Sequence, residues 1–328
     1  MSALLAVDDL TVRFRTKSGL RALLDRATPD HIEAVSGVSL RLAAGETVAL
    51  VGESGSGKTT LARAIIGLVP AADGSIRFEG TELRELSESE MKPFRRHVTM
   101  MFQDPVGSLS PRLTVGSLIA EPFRIHGLAD RDLRAEVRRL LGLVGLSADF
   151  AERYPHQLSG GQARRVGVAR ALALEPKLVL ADEPTAGLDV SVQGEILNLL
   201  NDLQQRLGLA ILIITHNLNI VRHVADRLYI MYLGRFVEEG PTARVFADPR
   251  HPYTATLLSA NPEPDPDAKI ERLKATGEVP SLLRRPPGCE FHTRCPFAQA
   301  RCREAMPERV TEPDGSSFIC HFPLNRAA

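Results

Sequence analysis

The residues with the clearest chemical potential form the run Gly52-Glu53-Ser54-Gly55-Ser56-Gly57-Lys58-Thr59. Its glycines let the backbone bend so that successive N–H groups, through Thr60, point at phosphate oxygens, and a helix opening there adds its positive end. Lys58 is then placed to reach the β- and γ-phosphates of a nucleoside triphosphate, and the Thr59 hydroxyl to bind Mg²⁺. A second constellation is Lys177-Leu-Val-Leu-Ala-Asp182-Glu183, an apolar run ending in two carboxylates. Asp182 can hold Mg²⁺ through water, because a hard cation prefers oxygen ligands. Glu183 is placed to orient or deprotonate the attacking water. A Gly-Ser turn before a helix is common by itself, and an Asp-Glu pair at a strand end is usually just solvated. Together in one chain they predict ATP hydrolysis.

Each of these groups needs an element to hold it. The cradle is preceded by the strand candidate Thr47 to Val51 and followed by a helical pattern over Thr59 to Leu68, which is the context the motif requires. Leu4 to Phe14, Ala34 to Leu42 and Ser75 to Phe78 also read as strands, separated by Ala-Gly-Glu and Ala-Asp-Gly turns. Arg15 to Ile32 is polar and basic and reads as a loop or insertion. From Pro105 to about Ala173 the pattern is helical, with segments at Arg131 to Leu143 and Gly161 to Leu174. Buried strands at Leu178 to Ala181, Ala210 to Ile214 and Arg227 to Tyr232 then alternate with helices at Val190 to Leu207 and Leu218 to Val224. That alternation predicts an α/β fold with a doubly wound parallel sheet. Beyond Gly240, Pro-rich stretches lead into a separate small C-terminal module.

At 328 residues the chain has room for one large domain and an appendage. Forty Lys and Arg balance forty Asp and Glu, which argues against nucleic acid as a partner. No run approaches the roughly 18 apolar residues of a membrane span, and the N-terminus lacks the pattern of a secretory signal, so the expected location is cytosolic. All four cysteines, Cys289, Cys295, Cys302 and Cys320, lie near the C-terminus. In a reducing compartment such a cluster suggests metal ligands or a redox site before disulfides. The spacing is not the C-x2-C pair of common zinc folds, yet four thiolates suit either Zn²⁺ or a [4Fe–4S] cluster.

Between the two phosphate-related motifs lies Leu158-Ser159-Gly160-Gly161-Gln162, and here the chain resembles the nucleotide-binding subunits of ABC transporters. The resemblance implies a P-loop (RecA-like) ABC nucleotide-binding domain with an antiparallel β subdomain, a helical subdomain and a small C-terminal cysteine-containing module. It spans residues 1–245, with the helical subdomain at about 104–165, followed by an extension at 246–328. Ser159, Gly160, Gly161 and Gln162, with Asp189 of the segment Ala186-Gly187-Leu188-Asp189, are implied to serve ATP held by the opposite subunit. Gln103 resembles the family's Q-loop glutamine, which contacts Mg²⁺ or water. His216 resembles the switch histidine at the γ-phosphate, although Asn217 follows it where relatives have Asp. Phe14 is the candidate for stacking on adenine.

The stretch Phe102 to Gly116, the run Asp182 to Gln193, the sequence His251-Pro252-Tyr253-Thr254 and the segment Gly288 to Pro296 resemble oligopeptide and dipeptide importers. Gly107, Ser110 and Gly187 are small-residue departures. This narrower resemblance implies a [4Fe–4S] cluster on the four cysteines, with Zn²⁺ as the alternative, and leaves His292 and His321 as bystanders. It implies two transmembrane permease subunits, a second ATP-binding subunit of paralogous sequence giving a heterodimer, and an extracytoplasmic solute-binding protein. The chain would then sit peripherally on the cytoplasmic face of the cell membrane. The alternatives are an importer subunit for nickel or a sugar, a soluble ABC regulator or repair factor, and a binding module with a dead ATP site.

Overall fold

The computed structural model describes residues 3–16, 31–102, 104, 107–260, 273 and 275–324. The chain begins with strands β1 (Leu5–Arg15) and β2 (His31–Leu42). Alternation at Val38, Leu40 and Leu42 turns one face of β2 inward, as a period of two requires. β3 (Thr47–Val51) is buried at every residue and delivers the chain to α1 (Lys58–Ile65). β4 (Asp73–Phe78), β5 (Thr81–Glu82), α2 (Glu88–His97) and β6 (Val98–Met101) follow.

The next helices start where polar side chains satisfy their first amides. Thr114 accepts the Ser117 N–H at 3.3 Å before α3 (Val115–Ile125). Asp132 accepts the Arg134 and Ala135 N–H groups, both at 3.1 Å, before α4 (Leu133–Leu143). After α5 (Gly160–Ala171) come β7 (Leu178–Asp182), α6 (Val190–Leu207), β8 (Ala210–Thr215), α7 (Leu218–Val224), β9 (Arg227–Tyr232) and β10 (Arg235–Pro241). The chain continues through α8 (Thr242–Ala247), α9 (Pro252–Ala260), α10 (Ala300–Glu304), β11 (Arg309–Thr311) and β12 (Ser317–Ile319).

The contacts divide the chain into two compact units. The first comprises Met1–Leu4, Leu42–Thr47 and Glu85–Ile214. Its strands run in the order β8-β7-β6, all parallel, with Leu178 opposite both Val98 and Ala210. Its helical part has a core of Leu118, Ile119, Phe123, Leu140, Leu141 and Val166. The second unit comprises Leu5–Arg41, Val48–Arg84 and Thr215–Ala328. It holds a four-stranded sheet in the order β2-β1-β4-β5, in which β4 runs antiparallel to both β1 and β5. It also holds the strand order β11-β12-β10-β9-β3, where β3 and β9 are parallel and the rest antiparallel. Within this unit the C-terminal strand β12 pairs with β10 at Glu238↔Phe318 and Glu239↔Ser317.

Most expected elements appear within a few residues of their predicted bounds. The polar stretch from Arg15 to Ile32 is shorter than read, because Arg15 closes β1 and His31 and Ile32 open β2; residues 17–30 lie outside the described residues. β6 and the strands β10 to β12 are additions. β11 and β12 are only three residues long, too short to show a period.

Candidate functional site

The second unit builds the phosphate cradle. β3 ends at Val51, and the chain turns through Gly52 to Gly57 into α1. Two of the glycines are required by space. A Cβ on Gly52 would lie 2.2 Å from the Met231 carbonyl oxygen, and one on Gly57, where φ is 106°, would lie 2.3 Å from the Ala34 carbonyl oxygen. Both approaches are to backbone, which cannot move aside as a flexible side chain can. No side chain caps α1 at Gly57, so the positive end of the helix opens onto the loop. Lys58 is buried, and its ammonium donates to the Gly52 and Glu53 carbonyls, both at 2.8 Å, and to Ser56 Oγ at 3.3 Å. The lysine is thus folded over its own loop, with its charge held inside the turn.

Ser54 and Gly55 form the exposed tip, Ser56 is buried, and Thr59 and Thr60 are half-buried at the helix start. Phe14, near the end of β1, is 40% exposed, an unusual position for an aromatic ring and one open to a planar ligand. His216 follows β8 and is exposed, while Asn217 caps α7 by accepting the Asn219 N–H at 3.0 Å.

The first unit carries the carboxylates. β7 is buried throughout and ends at the buried Asp182. Glu183 then takes a left-handed backbone, φ 48°, with its N–H held by the Ile214 carbonyl at 2.8 Å. A non-glycine residue in this region costs on the order of 1 kcal/mol, and such strain concentrates at functional sites. The turn that follows leads to Asp189, which caps α6 by accepting the Ser191 hydroxyl at 2.6 Å and the Val192 N–H at 3.0 Å. The Ser191 hydroxyl, with the Val192 amide, holds the Asp189 carboxyl below the usual carboxylate range.

The Leu158–Gln162 segment lies in the same unit. Ser159 Oγ accepts the Gln162 N–H at 3.2 Å, and Gln162 Oε1 accepts the Ser159 N–H at 3.0 Å, a reciprocal cap at the start of α5. Ser159 and Gly160 are exposed. Gly161 brings α5 against α6, because a Cβ there would lie 2.9 Å from Val192 Cγ1. Gln103, expected to complete the Mg²⁺ shell, lies outside the described residues.

The four cysteines gather within the second unit. All four thiols are free and line one small cavity, together with His251, Phe291 and other residues. Burial pushes the Cys295 thiol up to about 11 and Cys320 to about 12, with the neighbouring thiols adding to the shift. His292 and His321 each direct a ring nitrogen to a backbone carbonyl, of Cys289 at 2.8 Å and of Ala305 at 2.9 Å. Among the described residues no group of three or more His, Cys, Asp or Glu side chains is placed to hold a metal ion.

The cradle also carries a carboxylate bound by a cation distant in sequence. The Glu53 carboxylate is gripped by the Arg294 guanidinium through two parallel bonds of 2.8 and 3.0 Å. The Glu53 N–H also donates to Tyr253 Oη at 2.9 Å. A signal was present in the sequence: an acidic residue inside a loop shaped for anions needs a cation nearby. Nothing local identifies that cation, which lies 241 residues away.

Comparison with known proteins bears on the site as a whole. Residues 35–186 match the family model described as ABC transporter, and residues 237–302 match that of the oligopeptide/dipeptide transporter, C-terminal region. The chain is 47% identical to the oligopeptide transport ATP-binding protein OppF of Salmonella typhimurium, over 93% of this chain and 92% of that protein. It is 44% identical to OppF of Haemophilus influenzae, over 96% of each. Among solved structures, the ADP- and Pi-bound post-hydrolysis dimer of the ATP-binding cassette MJ0796 superposes with a TM-score of 0.63 at 29% identity, covering 73% of this chain and 98% of that one. The protein cbiO1 of Clostridium perfringens gives 0.65 at 30% identity, covering 75% and 92%.

Proposed function

Since the chain belongs to the ABC transporter ATP-binding proteins of the oligopeptide/dipeptide group, it is the ATP-hydrolysing subunit of a peptide importer, and we propose that its cradle is one half of a composite ATP site. In this reading the amides of Gly52 to Thr60, through Glu53, Ser54, Gly55, Ser56 and Gly57, surround the phosphates with Lys58, and Phe14 stacks on adenine. Thr59, Gln103 and Asp182 would hold Mg²⁺, which neutralises phosphate charge when bound. Glu183 positions the attacking water and His216 contacts the γ-phosphate. Ser159, Gly160, Gly161, Gln162 and Asp189 serve the ATP of a second ATP-binding subunit, as that subunit's equivalent segment serves this one. Most of the rate then comes from positioning and preorganised electrostatics.

The observation that carries this reading is the cradle itself. Gly52 and Gly57 have no room for a side chain, the lysine folds over the loop, and the helix start lacks a side-chain cap. The test is Glu183→Gln, which should bind ATP, trap the closed pair of subunits and abolish turnover; preserved hydrolysis would remove Glu183 from the role of water-positioning group.

The importer reading calls for two membrane-spanning permease subunits, a paralogous second ATP-binding subunit and an extracytoplasmic solute-binding protein. No helix among the described residues is long and apolar enough to cross a membrane. We place the chain on the cytoplasmic face of the cell membrane, with residues 1–245 as the ATP-binding domain and 246–328 as the extension. Co-purification from native membranes should recover the permease pair; recovery of ribosomes or DNA in its place would refute the assignment.

We propose that the four thiols, which line one cavity, hold a [4Fe–4S] cluster, with Zn²⁺ as the alternative. When bound, the cluster would cross-link Cys289, Cys295, Cys302 and Cys320. Anaerobic purification with an absorbance spectrum and metal analysis decides the matter, and stoichiometric zinc without iron would overturn the cluster.

A further inference from the structure

A carboxylate in a phosphate-binding loop poses an electrostatic problem. Glu53 stands between Gly52 and Ser54, in the turn whose amides are to face a triphosphate. Left alone, its charge would repel that ligand and its side chain would be free to move the loop. Both liberties are removed from one side. Arg294 binds the carboxylate in fork geometry at 2.8 and 3.0 Å, and the arginine is itself buried. Its guanidinium lies 5.9 Å from the Tyr232 ring centre and 6.0 Å from that of Phe291, so aromatic faces fix its plane. Tyr253 fixes the backbone of the same residue through its hydroxyl.

Most supports of this clamp belong to the C-terminal extension, with Tyr232 of β9 and Glu238 of β10 joining them. Tyr253 follows His251-Pro252, whose turn is anchored where the buried Glu238 carboxylate accepts the Arg250 N–H at 2.7 Å and the His251 N–H at 2.9 Å. The Tyr253 N–H in turn donates to His251 Nδ1 at 3.0 Å. The Tyr253 ring packs on Tyr232 and Phe291 at centroid distances of 4.7 and 5.3 Å. Arg294 immediately precedes Cys295, and Phe291, His251 and the four cysteines line the same cavity. A continuous chain of contacts therefore runs from the cysteine cavity to the loop that receives phosphate.

We infer that Arg294 and Tyr253 are positioning residues for the ATP reaction: they neutralise and immobilise Glu53, so that the affinity of the cradle for ATP depends on the C-terminal extension. The extension thus acts on the nucleotide site from within the same chain. The inference rests on Gly52 to Thr59 being the ATP cradle, and it adds a requirement that the motif alone does not contain.

The test compares wild type, Arg294→Met, Glu53→Gln and the double variant in full-length protein, with ATP binding measured in the presence of EDTA so that no turnover intervenes. Arg294→Met frees the Glu53 charge and should weaken ATP binding about tenfold, a change of about 1.4 kcal/mol. The defect should shrink at high ionic strength, as a repulsion between exposed charges must. The double variant should recover most of the lost affinity, because the offending charge is gone. Tyr253→Phe, which removes only the acceptor of the Glu53 N–H, should weaken binding by about threefold, about 0.65 kcal/mol, without lowering Tm as far as a core cavity would. Unchanged affinity in Arg294→Met would overturn the inference. So would an equal loss in the double variant, which would mark Arg294 as a general support of the fold. Wild-type protein that bound no nucleotide would overturn the cradle assignment as well, an outcome distinct from either.

Discussion

Two helix starts in this molecule are built from similar residues and left in opposite conditions. At α1 the N-cap is Gly57, which has no side chain to cap the helix. At α5 the N-cap is Ser159, and Ser159 and Gln162 satisfy each other's backbone N–H groups. Both ends carry the partial positive charge of a helix N-terminus. The first opens without a side-chain cap, while the second is capped and stands exposed. This difference suits the composite site proposed above, in which one end holds ATP within its own chain and the other serves ATP carried by a partner.

Substitutions at and around the two helix starts should separate their roles. Glu183→Gln belongs to neither helix start and sets the scale, with turnover expected to fall by about 10²- to 10⁴-fold while ATP binding persists. Single-turnover assays beside equilibrium binding read both quantities. Lys58→Ala should weaken ATP binding by about 10- to 100-fold in the isolated subunit, the loss of a charge-assisted contact of about 1.5–3 kcal/mol. Phe14→Ala should cost about threefold to tenfold in the same titration, the range of a lost aromatic contact. Ser159→Ala should leave ATP affinity of the isolated subunit unchanged and lower stability by about 1 kcal/mol, the typical value of an N-cap. That corresponds to a drop of about 2–4 °C in Tm for a unit of this size. If Ser159→Ala weakened ATP binding in the isolated subunit as strongly as Lys58→Ala, the division of labour between the two helix starts would be wrong.

The parts of this site that were legible in the sequence are those whose geometry is local. Gly52 to Thr59 is a strand-to-helix turn, Ser159 and Gln162 are three residues apart, and Asp182-Glu183 ends a single apolar strand. In each case the residues are neighbours along the chain, so the local arrangement can be read from spacing, while the roles of Ser159 and Gln162 came from the family resemblance. The parallel strands around Leu180 and Leu212 were legible for a related reason, since a strand covered on both faces leaves a continuous apolar run. β10 was harder to read, because Arg235, Glu238 and Glu239 interrupt its apolar residues. The structure shows why Glu238 is tolerated: its buried carboxylate accepts two backbone N–H groups.

The Glu53 clamp was not legible, and the reason differs again. Glu53 looks like filler between glycines, and Arg294 like one cation among many. What joins them is tertiary folding across more than two hundred residues, and no periodicity encodes that. Only the fold shows that the Glu53 charge is balanced, and by which residue. The cysteines fall between these cases. Their number and clustering stand out along the chain, but their convergence on one cavity does not follow from spacing.

Gly161 has a consequence beyond local packing. A Cβ at this position would lie 2.9 Å from Val192 Cγ1, so any larger residue would have to displace Val192. Val192 supplies one of the N–H groups that Asp189 accepts, so a substitution on one helix start would disturb the cap of the other.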